Sequence, residues 1–153
     1  MAATVATIAE NPYGGFPVDP PAPGETVLTV TVRGVDHNYS LEQLEQLGAT
    51  TVTVFEPFIQ KDSTFTGVEL SVLFEELAIT GEDSVKTVAL NEYSYTNTAR
   101  AFTGSGAILA YEQDGMPIAM DRGGPIRIVV PNDNPLSKTL DAWNWSLRSF
   151  LVN

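Results

Sequence analysis

Apolar and β-branched residues are grouped along the chain in runs of two different periods. Val27-Leu28-Thr29-Val30-Thr31-Val32 is β-branched almost throughout and predicts a strand. Ser40-Leu41-Glu42-Gln43-Leu44-Glu45-Gln46-Leu47-Gly48 changes to helical spacing. Leu41, Leu44 and Leu47 form one stripe, Ser40 and Gln43 a capping box, and Gly48 the stop. Thr51 to Phe55 predicts a second strand. Leu70, Leu73, Phe74 and Leu77 predict a helix over Val68 to Ala78 that ends near Gly81. Three further strands are expected at Val85–Leu90, Ile108–Glu112 and Ile126–Val130, with Asp114-Gly115 as a tight turn after the second of them. The alternation in Trp143-Asn144-Trp145-Ser146-Leu147 predicts a last strand. Strands interspersed with two short helices imply one α+β domain with a mixed or largely antiparallel sheet.

Composition adjusts this picture in three ways. The first 25 residues carry Pro12, Pro17, Pro20, Pro21 and Pro23 with Gly14, Gly15 and Gly24. The prediction is therefore an extended Pro/Gly-rich arm over residues 1–25, followed by a folded domain over residues 26–153. The net charge of −11, from 19 acidic and 8 basic residues, disfavours nucleic-acid binding and anionic membrane surfaces. The chain has no cysteine, which removes disulfides, zinc knuckles, thiol nucleophiles and thiolate-held metals. Met1 to Ala9 has neither the basic start nor the long apolar run of a signal peptide. Two readings follow, a cytosolic protein or a mature exported domain whose signal has been replaced by Met1, and the low basic content with the Pro/Gly-rich leader favours the second.

Most candidate chemistry has an ordinary structural explanation. Gly104-Ser105-Gly106 precedes a strand instead of following one, so it is read as a flexible loop and not as a dinucleotide fingerprint. His37, the one histidine, falls in a polar stretch before the first helix and is read as a surface turn. Asn132-Asp133-Asn134 lies between Pro131 and Pro135 and is read as a turn, not as a calcium loop. A more suggestive grouping is aromatic plus arginine. Phe55, Phe58, Tyr93, Tyr95, Trp143 and Trp145 fall near strand ends or in loops, and Arg122 and Arg127 bracket a Gly-Gly-Pro turn. Aromatic faces hold flat heterocycles by stacking, arginine suits a carbonyl or anionic edge, and Glu56, Asn91 or Glu92 suit an amino edge.

The motifs of the chain, taken in order, resemble those of sulfite-oxidase-like, molybdopterin-binding domains. Thr64-Phe65-Thr66-Gly67-Val68-Glu69-Leu70 is similar to that family's entry into a helix, and Asn91-Glu92-Tyr93-Ser94 to its strand-end motif. Leu109-Ala110-Tyr111, Asp114-Gly115-Met116-Pro117 and Gly123-Gly124-Pro125-Ile126-Arg127-Ile128-Val129-Val130-Pro131 follow, with Trp145-Ser146-Leu147 at the close. The resemblance implies a single sulfite-oxidase-like domain with a mixed sheet and few short helices. It also implies a metal-ligating cysteine around Thr53 to Phe58, where this chain has none. Arg127 stands where the family places an arginine on the pterin phosphate, Arg122 where many members have histidine, and Asn144 where a lysine precedes the last tryptophan.

Short cysteine-free members of the family act as periplasmic pterin-binding regulators of membrane-bound cyclic-di-GMP synthase/phosphodiesterases of the GGDEF/EAL type. The resemblance therefore implies a non-enzymatic periplasmic protein that binds a metal-free reduced pterin and signals to such a partner, without inserting into the membrane. Its pterin site is expected to use Phe55, Glu56, Asn91, Tyr93, Tyr95, Arg122, Arg127 and Trp145, with no metal ligand. The alternative is a molybdenum-cofactor oxidoreductase or a relic subunit of one. A third reading is a structural interaction domain whose pocket is closed by its own side chains.

Overall fold

The computed structural model describes residues 21–131 and 134–153. Most of the predicted arm and part of the Asn132-Asp133-Asn134 turn lie outside the described residues. The chain runs β1 (Thr26–Val32), β2 (Val35–Ser40), α1 (Leu41–Leu47), β3 (Thr50–Glu56), β4 (Lys61–Glu69), α2 (Leu70–Glu76), β5 (Ser84–Ala89), β6 (Ser94–Thr98) and α3 (Ala99–Gly104). It continues with β7 (Ile108–Gln113), β8 (Met116–Pro117), β9 (Arg127–Val129) and β10 (Leu147–Val152). Single 3-10 turns at Met120–Arg122, Pro135–Lys138 and Leu140–Ala142 punctuate the second half.

Two sheets result. One has the order β2-β1-β10-β5-β6, and β1 runs parallel to β10 in register Thr29↔Ser149 to Val32↔Val152. Every other pairing in it is antiparallel, so this sheet is mixed. The other has the order β3-β4-β7-β8, with β9 also paired to β7. The α+β domain with mixed pairing and few short helices is the observed architecture.

Local chemistry explains most of the element ends. Ser40 Oγ accepts the Gln43 amide while Gln43 Oε1 accepts the Ser40 amide, which caps α1 at both orphan donors. The Asp114-Gly115 hairpin has positive φ at both central residues, 52° and 82°, the twist that matches two antiparallel strands. Buried residues from both sheets and from α2 join one hydrophobic cluster that includes Leu28, Val30, Phe65, Leu73, Phe74, Ile108, Ile128 and Phe150. Each such side chain contributes roughly 1.5–3 kcal/mol by leaving water.

The sequence expectations fail at specific places. His37 lies within β2, paired with Val30, and not in a turn. Its neighbours are polar because β2 is an outer strand of its sheet, with Thr31 Oγ1 donating to Asp36 and Thr29 Oγ1 to Asn38. The second helix begins at Leu70, because Val68 and Glu69 still belong to β4 and pair with Leu109 and Ile108. A third short helix ends at Gly104, where a loop was expected, and Thr98 caps it by accepting the Ala101 amide. Trp143 to Ser146 is not strand: Ser146 has φ 48°, and β10 opens at Leu147.

Candidate functional site

Arg127 opens β9, and its whole side chain is inside the protein, at 0% exposure. Its Nη2 donates to Glu56 Oε1 at 3.4 Å and its Nη1 to the Arg122 carbonyl at 3.0 Å. The guanidinium also lies over three aromatic rings, at 5.0 Å from Phe65, 4.8 Å from Trp145 and 6.0 Å from Trp143. A desolvated cation is tolerated here because an anion and electron-rich ring faces replace its water.

Glu56 ends β3 and is 1% exposed. Strand alternation places Val54 and Glu56 inward and Phe55 outward, where Phe55 is half exposed. Glu56 also holds the tight connection to β4: Oε1 accepts the Phe58 amide at 2.9 Å and Oε2 accepts the Ile59 amide at 3.2 Å. One carboxylate therefore satisfies two turn amides and one buried cation. The turn presents Phe58, whose ring meets Trp145 edge-on with centroids 5.0 Å apart and an interplanar angle of 64°.

Trp145 is fixed by a backbone strap. Asn144 O accepts the Ile128 amide, Ser146 N donates to Gly123 O, Ser146 Oγ donates to Gly124 O, and Leu147 N donates to Ile126 O. The two glycines are required by close approach. A Cβ on Gly123, which has φ 90°, would fall 2.6 Å from the Trp145 ring, and one on Gly124 would fall 1.9 Å from Ile118 O. The Trp145 indole N–H is buried and has no hydrogen-bond partner among the described residues. By contrast, the indole N–H of Trp143 donates to Ser137 O at 2.9 Å.

Of the predicted site residues, the structure brings Glu56, Arg127 and Trp145 together, with Arg122 contributing its carbonyl while its side chain is exposed. Asn91, Tyr93 and Tyr95 turn to other partners. Asn91 Oδ1 accepts the Tyr93 amide, and the Tyr95 hydroxyl accepts from Asn97 Nδ2. Burial, and then a hydrogen bond to Asp141, push the Tyr93 hydroxyl up to about 12. Phe65 is the contributor that the residue pattern alone did not single out; its place beside Gly67 on β4 was the available signal. A groove of about 300 Å³ lies nearby, lined by Leu90, Pro125, Leu147, Arg148 and the start of β1, but it does not reach Trp145 or Arg127.

Residues 21–134 match the family described as "Oxidoreductase molybdopterin binding domain". Among solved structures, the sulfane dehydrogenase SoxCD from Paracoccus pantotrophus is similar, with a TM-score of 0.64 and 16% sequence identity. The match covers 82% of this chain and 37% of that one, so this chain spans little more than a third of the length of that protein. No curated protein matches the chain significantly.

The residues present do not suit a thiolate-held molybdenum centre. There is no cysteine, and no group of three or more His, Asp or Glu side chains with metal-binding geometry exists among the described residues. Within the Thr53–Phe58 segment, the carboxylate of Glu56 is turned inward onto Arg127. A flat ring is better provided for, since Trp145 offers an aromatic face and an unpartnered N–H.

Proposed function

The chain belongs to the oxidoreductase molybdopterin-binding domain family, and from that premise we propose that it binds a pterin without a protein-held metal and is not itself a redox enzyme. The observation that carries this reading is the pairing of Trp145 with Phe58. The Trp145 ring keeps a buried indole donor without an acceptor, at an apparent cost of about 1–3 kcal/mol. Phe58, which covers it edge-on, is 45% exposed and rides on a short turn. A ring that displaced Phe58 would gain an aromatic face and, through a carbonyl or ring nitrogen, an acceptor for that donor. This is also what separates the reading from a permanently closed interaction domain.

The family resemblance of the short cysteine-free members extends the proposal to a periplasmic location and to a membrane-bound cyclic-di-GMP synthase/phosphodiesterase as partner. That extension is supported by sequence resemblance alone. Occupancy of the site would change the Phe58 turn and so the surface beside it, and it would shift the partner only by its differential affinity for the two forms.

Anaerobic calorimetry with a tetrahydropterin tests the binding claim. Saturable binding at micromolar or tighter affinity, weakened at least tenfold by Trp145→Ala, is expected; absence of heat with any reduced pterin would refute it. Family membership favours a second reading, a molybdenum-cofactor oxidoreductase or a relic subunit of one, and stoichiometric molybdenum in protein from a molybdenum-replete host would establish that instead.

A further inference from the structure

We infer that β6 is the edge through which two copies of this chain pair, continuing the β2-β1-β10-β5-β6 sheet across a two-fold axis. The dimer is expected with or without a ligand beside Trp145.

β6 is an outer strand, and its register with β5 runs from Ser84↔Thr98 to Val88↔Ser94 without a shift. The Ala89 amide donates to Tyr93 O and Thr87 Oγ1 donates to Tyr95 O. Alternate residues from Tyr93 therefore face β5, and the peptide groups of Ser94 and Thr96 point away from it. Among the described residues no hydrogen bond reaches those outward groups. Open edges invite pairing unless charge, proline, a bulge or a very short strand blocks it. β2 carries Asp36 and has a register shift in its ladder, and β8 is two residues long with Pro117. Ser94-Tyr95-Thr96-Asn97-Thr98 has none of these guards, and Ser94, Thr96 and Thr98 are exposed.

A second copy is the occupant because this edge is complementary to itself. In a chain of net charge −11, Tyr93 to Ala99 is an uncharged strip. Antiparallel pairing about Tyr95 sets Ser94 opposite Thr96 of the other copy on both sides of the axis. Each outward amide and carbonyl of these two residues then gains a partner. The same pairing brings the Glu92–Arg148 pair of one copy towards the Glu82–Arg100 pair of the other, so charges of both signs meet at each end. Beside the Ser94 end stand Leu90, Tyr93 and Leu140, exposed by 39%, 40% and 51%, and Leu140 opens the 3-10 turn packed against β6. Pairing covers this apolar group. The Tyr93 hydroxyl is already fixed on Asp141, so little side-chain freedom is lost there.

Sedimentation equilibrium of the whole chain, with amide hydrogen exchange at Ser94 and Thr96, tests the pairing. One short edge buries less than the roughly 1,200 Å² of a standard interface, so the expected dimer is transient and fills as concentration rises towards about 1 mM. The Ser94 and Thr96 amides should gain protection over the same range. Thr96→Pro removes an outward N–H that β5 does not use, and Thr96→Lys puts a charge into the strip. Each should weaken the dimer at least tenfold, and if Thr96→Pro does not fold, Thr96→Lys decides. Thr53→Lys, on the outer strand β3 of the other sheet, should leave the dimer unchanged. A chain that is monomeric at every concentration would overturn the inference, as would a dimer that survives Thr96→Lys or is broken by Thr53→Lys. Ser94 and Thr96 amides already protected in the dilute monomer would also overturn it, giving the edge to another segment of the same chain.

Discussion

Arg127 and Glu56 are brought together from separate strands of one sheet, 71 positions apart in sequence, with Nη2 to Oε1 at 3.4 Å and both side chains excluded from solvent. Glu56 is in turn held by the Phe58 and Ile59 amides, so the pair ties β9 to the turn after β3.

Removal of one partner should be far worse than removal of both. Glu56→Ala takes the Glu56 carboxylate from a buried guanidinium and from two turn amides, and a loss of about 3–5 kcal/mol is expected in chemical denaturation. Arg127→Met combined with Glu56→Gln removes the charge problem and should cost less than Glu56→Ala alone. A double variant as unstable as the sum of its singles would show that the pair is not coupled.

Gly67 sits at a bulge in the β4–β7 ladder, where a Cβ would fall 2.2 Å from Leu109 O and 2.6 Å from Ala110 Cα. Backbone cannot give way there as a flexible side chain could. Gly67→Ala is expected to destabilise by about 1–3 kcal/mol or more. Gly104 has no atom within 4 Å of a Cβ and ends α3, so Gly104→Ala should be neutral or stabilising by up to about 1 kcal/mol. Thermal midpoints of the two variants measure the contrast.

Asp83 provides an acid-sensitive clamp. The Thr80 amide at 2.8 Å, and then Arg33 at 3.2 Å, hold its carboxyl below the ordinary value of 3.8. A depressed folded value means stability that is present above the unfolded value and lost as pH falls through the folded one. The difference in midpoint between wild type and Asp83→Asn should therefore be full at neutral pH and shrink below pH ~4. A difference that stays constant down to the lowest pH at which the protein folds would contradict this.

Trp145→Phe separates ligand recognition from folding. It deletes a buried donor that has no acceptor, so stability should change by less than about 1 kcal/mol, while tetrahydropterin binding should weaken about tenfold. Binding unchanged in this variant would remove the indole N–H from the site.

Much of the fold was legible because its signals are local. The β-branched run of β1, the Ser40–Gln43 box and Asp114-Gly115 each encode their own geometry. The features that escaped depend on tertiary partners. β2 reads as a turn because an outer strand carries Asp36, His37 and Asn38, and the Trp143–Ser146 strap alternates like a strand while its backbone groups go to scattered partners: the Trp143 amide to Leu140 O, the Asn144 carbonyl to the Ile128 amide, the Ser146 amide to Gly123 O and the Ser146 carbonyl to the Leu90 amide. For the site, the residue types were readable but their roles were not. Glu56 and Arg127 look like ligand contacts in sequence, and only the structure shows that each meets the other.

The central claim, a pterin site in a molybdopterin-type fold without its metal, is tested most directly by the content of the purified protein. The chain should be produced in a host that makes both molybdenum cofactor and free reduced pterins, and then analysed for molybdenum and for pterin fluorescence after oxidation. Pterin released from the protein with molybdenum far below one equivalent is the expected result. Molybdenum and pterin at equal stoichiometry would contradict the account.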